Sequence, residues 1–436
     1  LDDRRDHRQH RKIGRYRTVV FLVLIILIEK VRRVVFLEQL FKLGVGSLQL
    51  NSITAQSTGA VELNVSCAKV ALTAANGTIA TDNANYADMY VGSNTALSFA
   101  NADGNVNVDL RNGLDSAGDG AKFKGITAVV GGAGSNTLIG STGAEILTAG
   151  SGRSSLWGGA GKDTLVGGGE SDVFYIGSGD GADTITGFAA ADSDSADTIF
   201  VLGDITVAKL TSAGTEVGTS TADKAVIKGL TMDSKIKFSA NGNEGIAKVG
   251  YANQANTFNY ASDVNYYGGG SASDKIAFAS GYSDNAQIWL DGSQGTAYNS
   301  IDVVDGSNTS GSLIVAGDSS SQSIIGGKGD TSLWGGAGSA TDTLRSSSGS
   351  KTMFWWGAGE GNDLVVSASA DDSVNLYNLK LSDVDSANSS ITNSGVVLAL
   401  NDGSKLTVQT SRDMTFSIDG QSWTAQHSSK EWKQNS

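Results

Sequence analysis

The sequence predicts an all-β protein: a parallel β-roll or β-solenoid with flanking β-sandwich-like regions, in two duplicated halves, plus an N-terminal apolar segment that is expected to be helical. Three observations lead to this fold class. Residues 131–175 divide into five consecutive nine-residue frames without a break in register. The chain has 57 Gly and no Pro, which suits tight turns between strands in long hydrogen-bonded ladders. The heptapeptide SLWGGAG at 155–161 also occurs again at 332–338.

The five frames read GGAGSNTLI, GSTGAEILT, AGSGRSSLW, GGAGKDTLV and GGGESDVFY. The Gly-rich first half of a frame is typical of a turn that needs positive φ, and the last three residues predict a short strand. Two frames then make one coil, and the eighth residues point into a narrow core that stacked coils share. These inward residues are Leu138, Leu147, Leu156, Leu165 and Phe174. The alternative, a flexible Gly-rich linker, has no reason to keep an apolar residue at every ninth position.

Frame 158–166 resembles the RTX, or haemolysin-type calcium-binding, repeat G-G-x-G-x-D-x-U-x at every defined position, through Gly158, Gly159, Gly161, Asp163 and Leu165. The next frame keeps Gly167, Gly168, Asp172 and Phe174 but has Glu170 in place of the third glycine. The resemblance implies that calcium is held by turn carbonyls and by the sixth-position Asp, with ligands from turns stacked on one side. Because calcium takes six to eight oxygen ligands, one turn alone is not a site.

The sixth positions on one side of the predicted roll are Glu145 and Asp163, continued by Asp183 in GSGDGADTI, and those on the other side are Asn136, Ser154 and Asp172. We expect one to three calcium ions, centred on Asp163 and Asp172. The candidate metal-binding residues that the resemblance implies are Gly131, Gly134, Asn136, Glu145, Gly158, Gly161, Asp163, Gly167, Gly169, Asp172, Asp180 and Asp183.

Charge is distributed unevenly along the chain. Residues 1–46 contain 11 Lys and Arg against 5 Asp and Glu, whereas the rest contains 21 against 40. An acidic body repels phosphates, which argues against nucleic acid as a partner and favours cations. The single cysteine, Cys67, excludes an intramolecular disulfide and is expected to be a small core residue rather than a nucleophile.

Residues 1–46 differ from the rest of the chain, because a basic arm precedes the apolar run TVVFLVLIILI. No small-x-small cleavage site follows, and the run is shorter than the about 20 residues that a membrane-spanning helix needs. Three interpretations remain open: a helix in an assembly interface, a membrane-associated anchor, or a core element of the same chain. Contact with a membrane is expected, if at all, only through residues 13–43.

The remaining regions follow from strand-like alternation and turn signals. Residues 47–130 predict a solenoid-like lead-in, 131–188 the calcium roll, 189–280 a β-rich linker region, 281–366 a second, degenerate roll, and 367–436 a β region whose end resembles a type I secretion signal. In the linker region, Asp192, Asp194 and Asp197 predict a solvated acidic loop, with a further ion site as the alternative.

The second roll repeats the first at an offset of 177 to 180 residues. Its inward positions are kept as Ile324, Leu333, Leu344 and Phe354, but Asp342 is the one well-placed acid in its turns. We therefore expect this roll to be structural and to need little or no calcium. The ninth residue of a frame points outward, and its side chain is often large. Such side chains predict a covering layer, which is either another layer or subunit or the chain's own flanking strands. These residues are Ile139, Trp157, Val166, Tyr175, Trp334 and Trp355.

The sequence predicts a protein without enzymatic activity. The histidines are His7, His10 and His427, so none lies within residues 11–426 to serve a nucleophile, and no H-E-x-x-H, G-x-S-x-G or phosphate-loop motif occurs. The predicted function is that of a secreted, calcium-binding structural protein of the bacterial cell surface, which folds on Ca²⁺ and polymerises with itself into a layer, filament or matrix. The alternatives are an adhesin that binds glycans or a host surface through the exposed Trp residues or Tyr260, Tyr266 and Tyr267, and a secreted enzyme acting on polysaccharide.

Overall fold

The computed structural model describes residues 50–55, 61–63, 70–75, 78–81, 89–111, 122–270, 273–294 and 296–435. The predictions for residues 1–46, including the apolar helix and the membrane contact, lie outside the described residues, as does Cys67. The described ranges contain strands and one short 3₁₀ helix, Leu381–Asp383, and no α-helix. None of their elements is a helix with the length and hydropathy to cross a bilayer. The predicted all-β fold is confirmed.

The strands are short and follow one another through Gly-rich turns. The first nineteen are β1 (Leu50–Ala55), β2 (Val61–Leu63), β3 (Val70–Ala75), β4 (Thr78–Thr81), β5 (Met89–Ser98), β6 (Val106–Asp109), β7 (Lys122–Val130), β8 (Asn136–Ile139), β9 (Ile146–Thr148), β10 (Ser154–Trp157), β11 (Thr164–Val166), β12 (Val173–Gly177), β13 (Ala182–Thr186), β14 (Thr198–Leu202), β15 (Val207–Thr211), β16 (Gly214–Gly218), β17 (Lys224–Ile227), β18 (Ile236–Ala240) and β19 (Asn243–Val249).

The other nineteen strands are β20 (Thr257–Asn259), β21 (Val264–Tyr267), β22 (Lys275–Ala277), β23 (Ala286–Trp289), β24 (Tyr298–Asn299), β25 (Val303–Asp305), β26 (Leu313–Ala316), β27 (Ser323–Ile325), β28 (Thr331–Trp334), β29 (Thr343–Arg345), β30 (Thr352–Trp356), β31 (Asn362–Val366), β32 (Ser373–Leu376), β33 (Ser390–Thr392), β34 (Gly395–Ala399), β35 (Lys405–Gln409), β36 (Met414–Ile418), β37 (Gln421–Gln426) and β38 (Glu431–Gln434).

The chain folds as two compact units. Unit 1 comprises the described residues up to Val207 with Glu216–Leu230 and Ile236–Glu244, and unit 2 comprises Ala208–Thr215, Thr231–Lys235 and the described residues from Gly245. In unit 1, alternate strands pair in parallel into two ladders, as successive coils of a roll require. One ladder runs β1-β3-β5-β7-β9-β11-β13-β17 and the other β6-β8-β10-β12-β14-β18. The strands on both sides of the nine-residue frames therefore continue the same ladders.

Pairing in register stacks the inward residues of unit 1 into two apolar columns. Leu156 pairs with Leu138 on one side and with Phe174 on the other, and Leu165 pairs with Leu147 and with Ile185. All of these side chains are fully buried. The predicted core of the roll is confirmed, and it consists of one apolar residue from each short strand.

Unit 2 has two further parallel ladders of the same kind. One runs β20-β22-β25-β27-β29-β31-β35 and the other β23-β26-β28-β30-β32-β36, and both end in antiparallel strands, β34-β33 and β37-β38 respectively. Its inward residues Ile324, Leu333, Leu344 and Phe354 are buried in one continuous cluster.

Two of the tyrosines considered for glycan binding belong to the core of unit 2. Tyr266 and Tyr267 are buried, and the ring of Tyr266 stacks on Tyr298 at a centroid distance of 5.7 Å. The backbone N–H of Ala261 donates to the Tyr266 hydroxyl at 2.6 Å, so the polar end is satisfied inside the protein. The hypothesis that Tyr266 and Tyr267 form a surface for a ligand is therefore wrong, since strand alternation alone does not reveal which face is covered.

Strand β9 allows a direct test of the stacked core, because two neighbouring large residues face opposite ways. Leu147 is fully buried, whereas Ile146 is 49% exposed. In calcium-saturated protein we expect Leu147→Ala to lower the free energy of unfolding by about 2–5 kcal/mol through loss of burial and creation of a cavity. We expect Ile146→Ala to change it by about 0.5 kcal/mol or less. Urea unfolding followed by circular dichroism measures both, and equal effects would contradict the assigned inward column.

Candidate metal centre

The Gly-rich turns of unit 1 bring backbone carbonyls and carboxylates close together. At Gly158 an added Cβ would lie 2.4 Å from Asp163 Oδ2, and at Gly161, whose φ is +148°, it would lie 1.9 Å from the carbonyl oxygen of Gly143. Both positions require glycine, since a side chain would collide with an oxygen atom. The consequence is a turn lined by oxygen atoms rather than by side-chain carbon.

One column of sixth-position residues runs along these turns. The backbone N–H of Glu145 donates to Asp163 Oδ1 at 2.7 Å, and the backbone N–H of Asp163 donates to Asp183 Oδ1 at 2.9 Å. The strands that follow these residues pair in parallel, so neighbouring turns are stacked about 4.8 Å apart. Each carboxylate thus links its own turn to the preceding one on the same side of the roll.

The second oxygen of each of these two aspartates has no hydrogen-bond partner. Asp163 Oδ2 and Asp183 Oδ2 are both buried and unpaired, although the two residues are only 2% and 1% exposed. Burying an unpaired carboxylate oxygen is costly, and two like charges one strand apart repel each other as well. A cation beside these oxygens removes both costs, so this column fits a bound metal ion.

The chemistry of the donors favours calcium. In the described part of the chain, no group of three or more His, Cys, Asp or Glu side chains converges on one point. A cation at Asp163 and Asp183 would take its other ligands from backbone carbonyls of the turns and from water. Hard cations that accept many oxygen ligands in flexible geometry, calcium above all, suit such a donor set.

Without a cation, the environment of this column raises the pKa of its carboxyl groups. Burial raises the pKa of Asp163 to about 7, and the neighbouring Asp183 and Glu145 add to the effect. Burial likewise raises the pKa of Asp183 to about 7, with a contribution from Asp180. Because the two carboxyls interact, they titrate as a pair. Near neutral pH a proton and a metal ion therefore compete for the carboxyl groups of Asp163 and Asp183.

The other column has a different hydrogen-bond pattern. Asp172 accepts the backbone N–H groups of Ser154 and Gly168 at 2.8 and 2.6 Å, one on each oxygen. Asp197 does the same for Asp172 and Ala189, both at 2.7 Å. Neither aspartate has an unpaired buried oxygen, so the structure favours the Asp163 column over Asp172 as the metal centre.

Asp197 was assigned by sequence to a solvated acidic loop, and this is wrong: its side chain is buried and extends the Asp172 column. Asp192 and Asp194 are exposed. The signal that could have identified Asp197 is local, since Asp197-Thr198-Ile199 repeats the Asp-Thr-apolar order of residues 163–165. Asp followed two residues later by an inward apolar residue marks the sixth position even where the glycine pattern is lost.

Other candidate residues form hydrogen bonds with polar groups of the turns, and these bonds need no ion. The Asn136 amide accepts from Gly132 N–H at 3.1 Å and donates to Ser154 Oγ at 3.1 Å. Both oxygens of Glu145 accept hydrogen bonds from Ser141, from its backbone N–H at 2.9 Å and from its hydroxyl at 2.6 Å. The turns at Gly131 and Gly134 precede Asn136 and those at Gly167 and Gly169 precede Asp172, so these glycines flank side chains that already cap the backbone.

Asp180 closes the turn that leads into Asp183. Its Oδ2 accepts the indole N–H of Trp157 at 2.9 Å and the backbone N–H of Gly177 at 2.6 Å. Burial raises the pKa of Asp180, while the hydrogen bond from Trp157 acts in the opposite direction. The outward-facing Trp157 thereby ties the strand β10 to the turn beside the candidate metal centre.

Comparison with known proteins agrees with this geometry at the level of the repeat. The family model described as RTX calcium-binding nonapeptide repeat (4 copies) matches residues 125–156 and 139–174. No curated protein matches the chain. Among solved structures, the crystal structure of the extracellular lipase LipA from Serratia marcescens aligns at 16% sequence identity and a TM-score of 0.16, over 63% of this chain. The chain spans 37% of that lipase. The match of the repeat model and the oxygen-lined turns together identify the chain as one that carries RTX calcium-binding repeats, with calcium as their ion.

Proposed function

We propose that the chain is an extracellular calcium-binding structural protein, which folds on Ca²⁺ and self-assembles into a surface layer, filament or matrix on a bacterial cell. The observation that carries the calcium part of this proposal is the pair of buried, unpaired oxygens Asp163 Oδ2 and Asp183 Oδ2. A fold that leaves these two oxygens without partners is complete only when a cation binds beside them.

Calcium-coupled folding follows from the charge of the chain. With 45 Asp and Glu against 32 Lys and Arg, the calcium-free chain repels itself, which destabilises its folded state where calcium is scarce. Extracellular calcium modules have Kd values of about 10⁻⁴–10⁻³ M, so calcium outside the cell drives binding. At a free calcium concentration of about 100 Kd, one site adds about 2.7 kcal/mol to the stability of the folded state. Export by the type I route, before folding, is consistent with this mechanism.

A structural rather than an enzymatic role is supported by what the residues offer. No histidine lies between residues 11 and 426. The buried carboxylates of the two columns are engaged with backbone N–H groups of stacked turns, such as Asp163 with Glu145. These contacts serve the architecture of the roll.

The surface proposed for self-assembly lies on the outer face of unit 2. Trp289, Trp334, Trp355 and Tyr377 line an apolar groove of about 390 Å³ there, together with Ile314. Aromatic side chains bury large areas on contact, and a second copy of the chain, carrying outward residues of the same kind, would cover them. The C-terminal edge strand β38 is unsuited to adding strands, because it presents the charged residues Glu431 and Lys433.

An adhesin that binds glycans is the second candidate, and the same aromatic groove favours it. The faces of Trp334 and Trp355 could stack against sugar rings, and both contact Tyr377 at ring-centroid distances of 5.9 and 6.4 Å. The groove lining is almost entirely apolar apart from Ser332, whereas recognition of sugars also needs hydrogen-bonding groups. This favours assembly over glycan binding.

The calcium proposal predicts a specific effect of Asp183→Asn. The change keeps the shape of the side chain but removes one of the two charges at the candidate metal centre. We expect the calcium concentration at the midpoint of calcium-induced stabilisation to rise about tenfold or more, since the affinity of such sites depends on ligand charge. Thermal unfolding at a series of calcium concentrations measures this. Asp194→Asn, an exposed aspartate with the same charge change, is the matched control, and an equal shift in both variants would contradict the assignment.

The raised pKa values predict how pH affects the calcium-free protein. The unfolded chain ionises Asp163 and Asp183 near the ordinary value of 3.8, whereas the folded protein keeps the protons up to about 7. The folded state therefore binds more protons in this window, and the free energy of unfolding falls as pH rises from about 4 to about 7. Calcium replaces the protons, so its stabilising effect is largest above about pH 7.

Urea unfolding from about pH 4 to pH 8, with a chelator or with saturating calcium, measures this dependence. In chelator, the fall in stability between about pH 4 and 7 is expected to be smaller in the Asp163→Asn/Asp183→Asn double variant than in the wild type, because neither side chain titrates. Part of the fall remains in the variant, since burial also raises the pKa of Asp197, Asp342, Glu360 and Asp363. An equal fall in the wild type and the double variant would show that these two carboxyls are not buried as described.

Self-assembly is tested by electron microscopy of the purified full chain with and without calcium. We expect ordered polymers with calcium and none with chelator, and we expect Trp355→Ala to reduce polymer formation because it removes part of the apolar groove. Tyr251→Ala, at an exposed aromatic residue outside the groove, is the control. Monomers in calcium that bind glycans through Trp355 would contradict assembly and favour the adhesin.

A further inference from the structure

Unit 2 contains a carboxylate column with the same hydrogen bonds as the candidate metal centre of unit 1. The backbone N–H of Gln322 donates to Asp342 Oδ1 at 2.7 Å, and that of Asp342 donates to Asp363 Oδ1 at 2.9 Å. The corresponding distances at Asp163 and Asp183 are 2.7 and 2.9 Å. Asp342 and Asp363 thus occupy the positions of Asp163 and Asp183.

The third acid of the site is also retained, as Glu360 in place of Asp180. Glu360 Oε1 accepts the indole N–H of Trp334 at 2.7 Å, and Oε2 accepts the backbone N–H of Gly357 at 2.8 Å. In unit 1 Asp180 makes both contacts, to Trp157 and Gly177, with a single oxygen. The longer Glu360 side chain therefore maintains the hydrogen-bonded link between the outward-facing Trp334 and the turn at Gly357.

The turn of unit 2 has the same shape close to the carboxylate. A Cβ at Gly335 would lie 2.5 Å from Asp342 Oδ2, compared with 2.4 Å between Gly158 and Asp163 Oδ2. Gly338 has a φ of +145° and Gly161 a φ of +148°. The extra residues that precede Asp342 therefore do not displace its carboxylate from the beginning of the turn.

The observation that points to a ligand is an oxygen atom without a partner. Asp363 is 2% exposed, and its Oδ2 is buried with no hydrogen-bond partner, as is Oδ2 of Asp183 at the equivalent position. We propose that Asp342, Asp363 and the surrounding turn carbonyls of unit 2 bind a second calcium ion. This rests on the assignment of calcium to Asp163 and Asp183 in unit 1. It revises the expectation that the second roll needs little or no calcium.

Trp356 offers the competing explanation for the unpaired oxygen. It stands where unit 1 has Ile176, it is fully buried, and its indole N–H also has no hydrogen-bond partner. The Trp356 indole lies close enough to the Asp363 carboxyl to act on its pKa, lowering it against the larger effect of burial. A small movement that completed this hydrogen bond would satisfy both groups without an ion. Under that explanation, removing the charge of Asp363 would leave the number of bound calcium ions unchanged.

Counting calcium ions bound by the full chain separates these possibilities. At a free calcium concentration that just saturates the wild type, native mass spectrometry and isothermal titration calorimetry should show one ion fewer for Asp363→Asn than for the wild type, one fewer for Asp183→Asn, and two fewer for the double variant. Asp371→Asn, an exposed aspartate near the same turn sequence, is the control and should keep the wild-type number. An unchanged count in Asp363→Asn overturns the proposal. If Asp363→Asn loses an ion while Asp183→Asn does not, the assignment in unit 1 fails instead.

A second measurement leaves the carboxylates intact, which matters if Asp363→Asn does not fold. Trp157 is the one tryptophan of unit 1 in the described residues, whereas unit 2 has Trp334 and Trp356 beside its column. In a Trp157→Phe chain loaded with terbium, emission sensitised by tryptophan must therefore come from unit 2. We expect strong emission that calcium displaces and that the additional change Trp334→Phe reduces. Emission that disappears with Trp157→Phe alone overturns the proposal.

Discussion

The structure depends on one repeated contact, in which an aspartate at the sixth position of a turn accepts the backbone N–H of the residue one coil earlier. The contact between Asp183 and Asp163 is the clearest case. It places carboxylates in a column at about the 4.8 Å spacing of the strands, and the apolar residues two positions later form the core at the same spacing. Because the coils are too short to bury much surface each, neither the column nor the core is stable without the other. Burial of the carboxylate charges destabilises this arrangement, and a bound cation would neutralise them.

This contact also explains why the two columns of unit 1 differ. Asp172 has both oxygens engaged by N–H donors of the backbone, through Ser154 and Gly168. Asp163 and Asp183 each leave one oxygen unpaired in the interior. The same side chain therefore acts as a cap in one column and as a candidate metal ligand in the other. Sequence position does not distinguish the two roles, because Asp163 and Asp172 both occupy the sixth place of a nine-residue frame.

The periodic features of the fold could be predicted from the sequence, and the irregular ones could not. The nine-residue frames predict that Leu147, Leu156 and Leu165 share an interior, because the repeat length is fixed. Asp183 lies 20 residues after Asp163, two more than a pair of frames, and the similar sequence GSGDGADTI predicts its place on the same side of the roll. Asp197 and Asp363 join columns after turns of unequal length, where register is set by hydrogen bonds between coils rather than by counting residues. Tyr266 was misjudged for a related reason, since an aromatic residue in a strand suits an exposed binding face and a buried core equally well. The duplicated heptapeptide predicts a second roll. The glycine pattern of that roll is degenerate, however, so the sequence does not reveal that its acids Glu360 and Asp363 correspond to Asp180 and Asp183.

Calcium-coupled folding requires a calcium ion at the Asp163 and Asp183 column. Anomalous diffraction from crystals of the full chain grown with calcium would locate this ion. We expect an anomalous peak about 2.3–2.6 Å from Asp163 Oδ2 or Asp183 Oδ2 and from carbonyl oxygens of the adjoining Gly-rich turns. A well-ordered roll without such a peak, in which both oxygens are protonated or bonded to water, would contradict it.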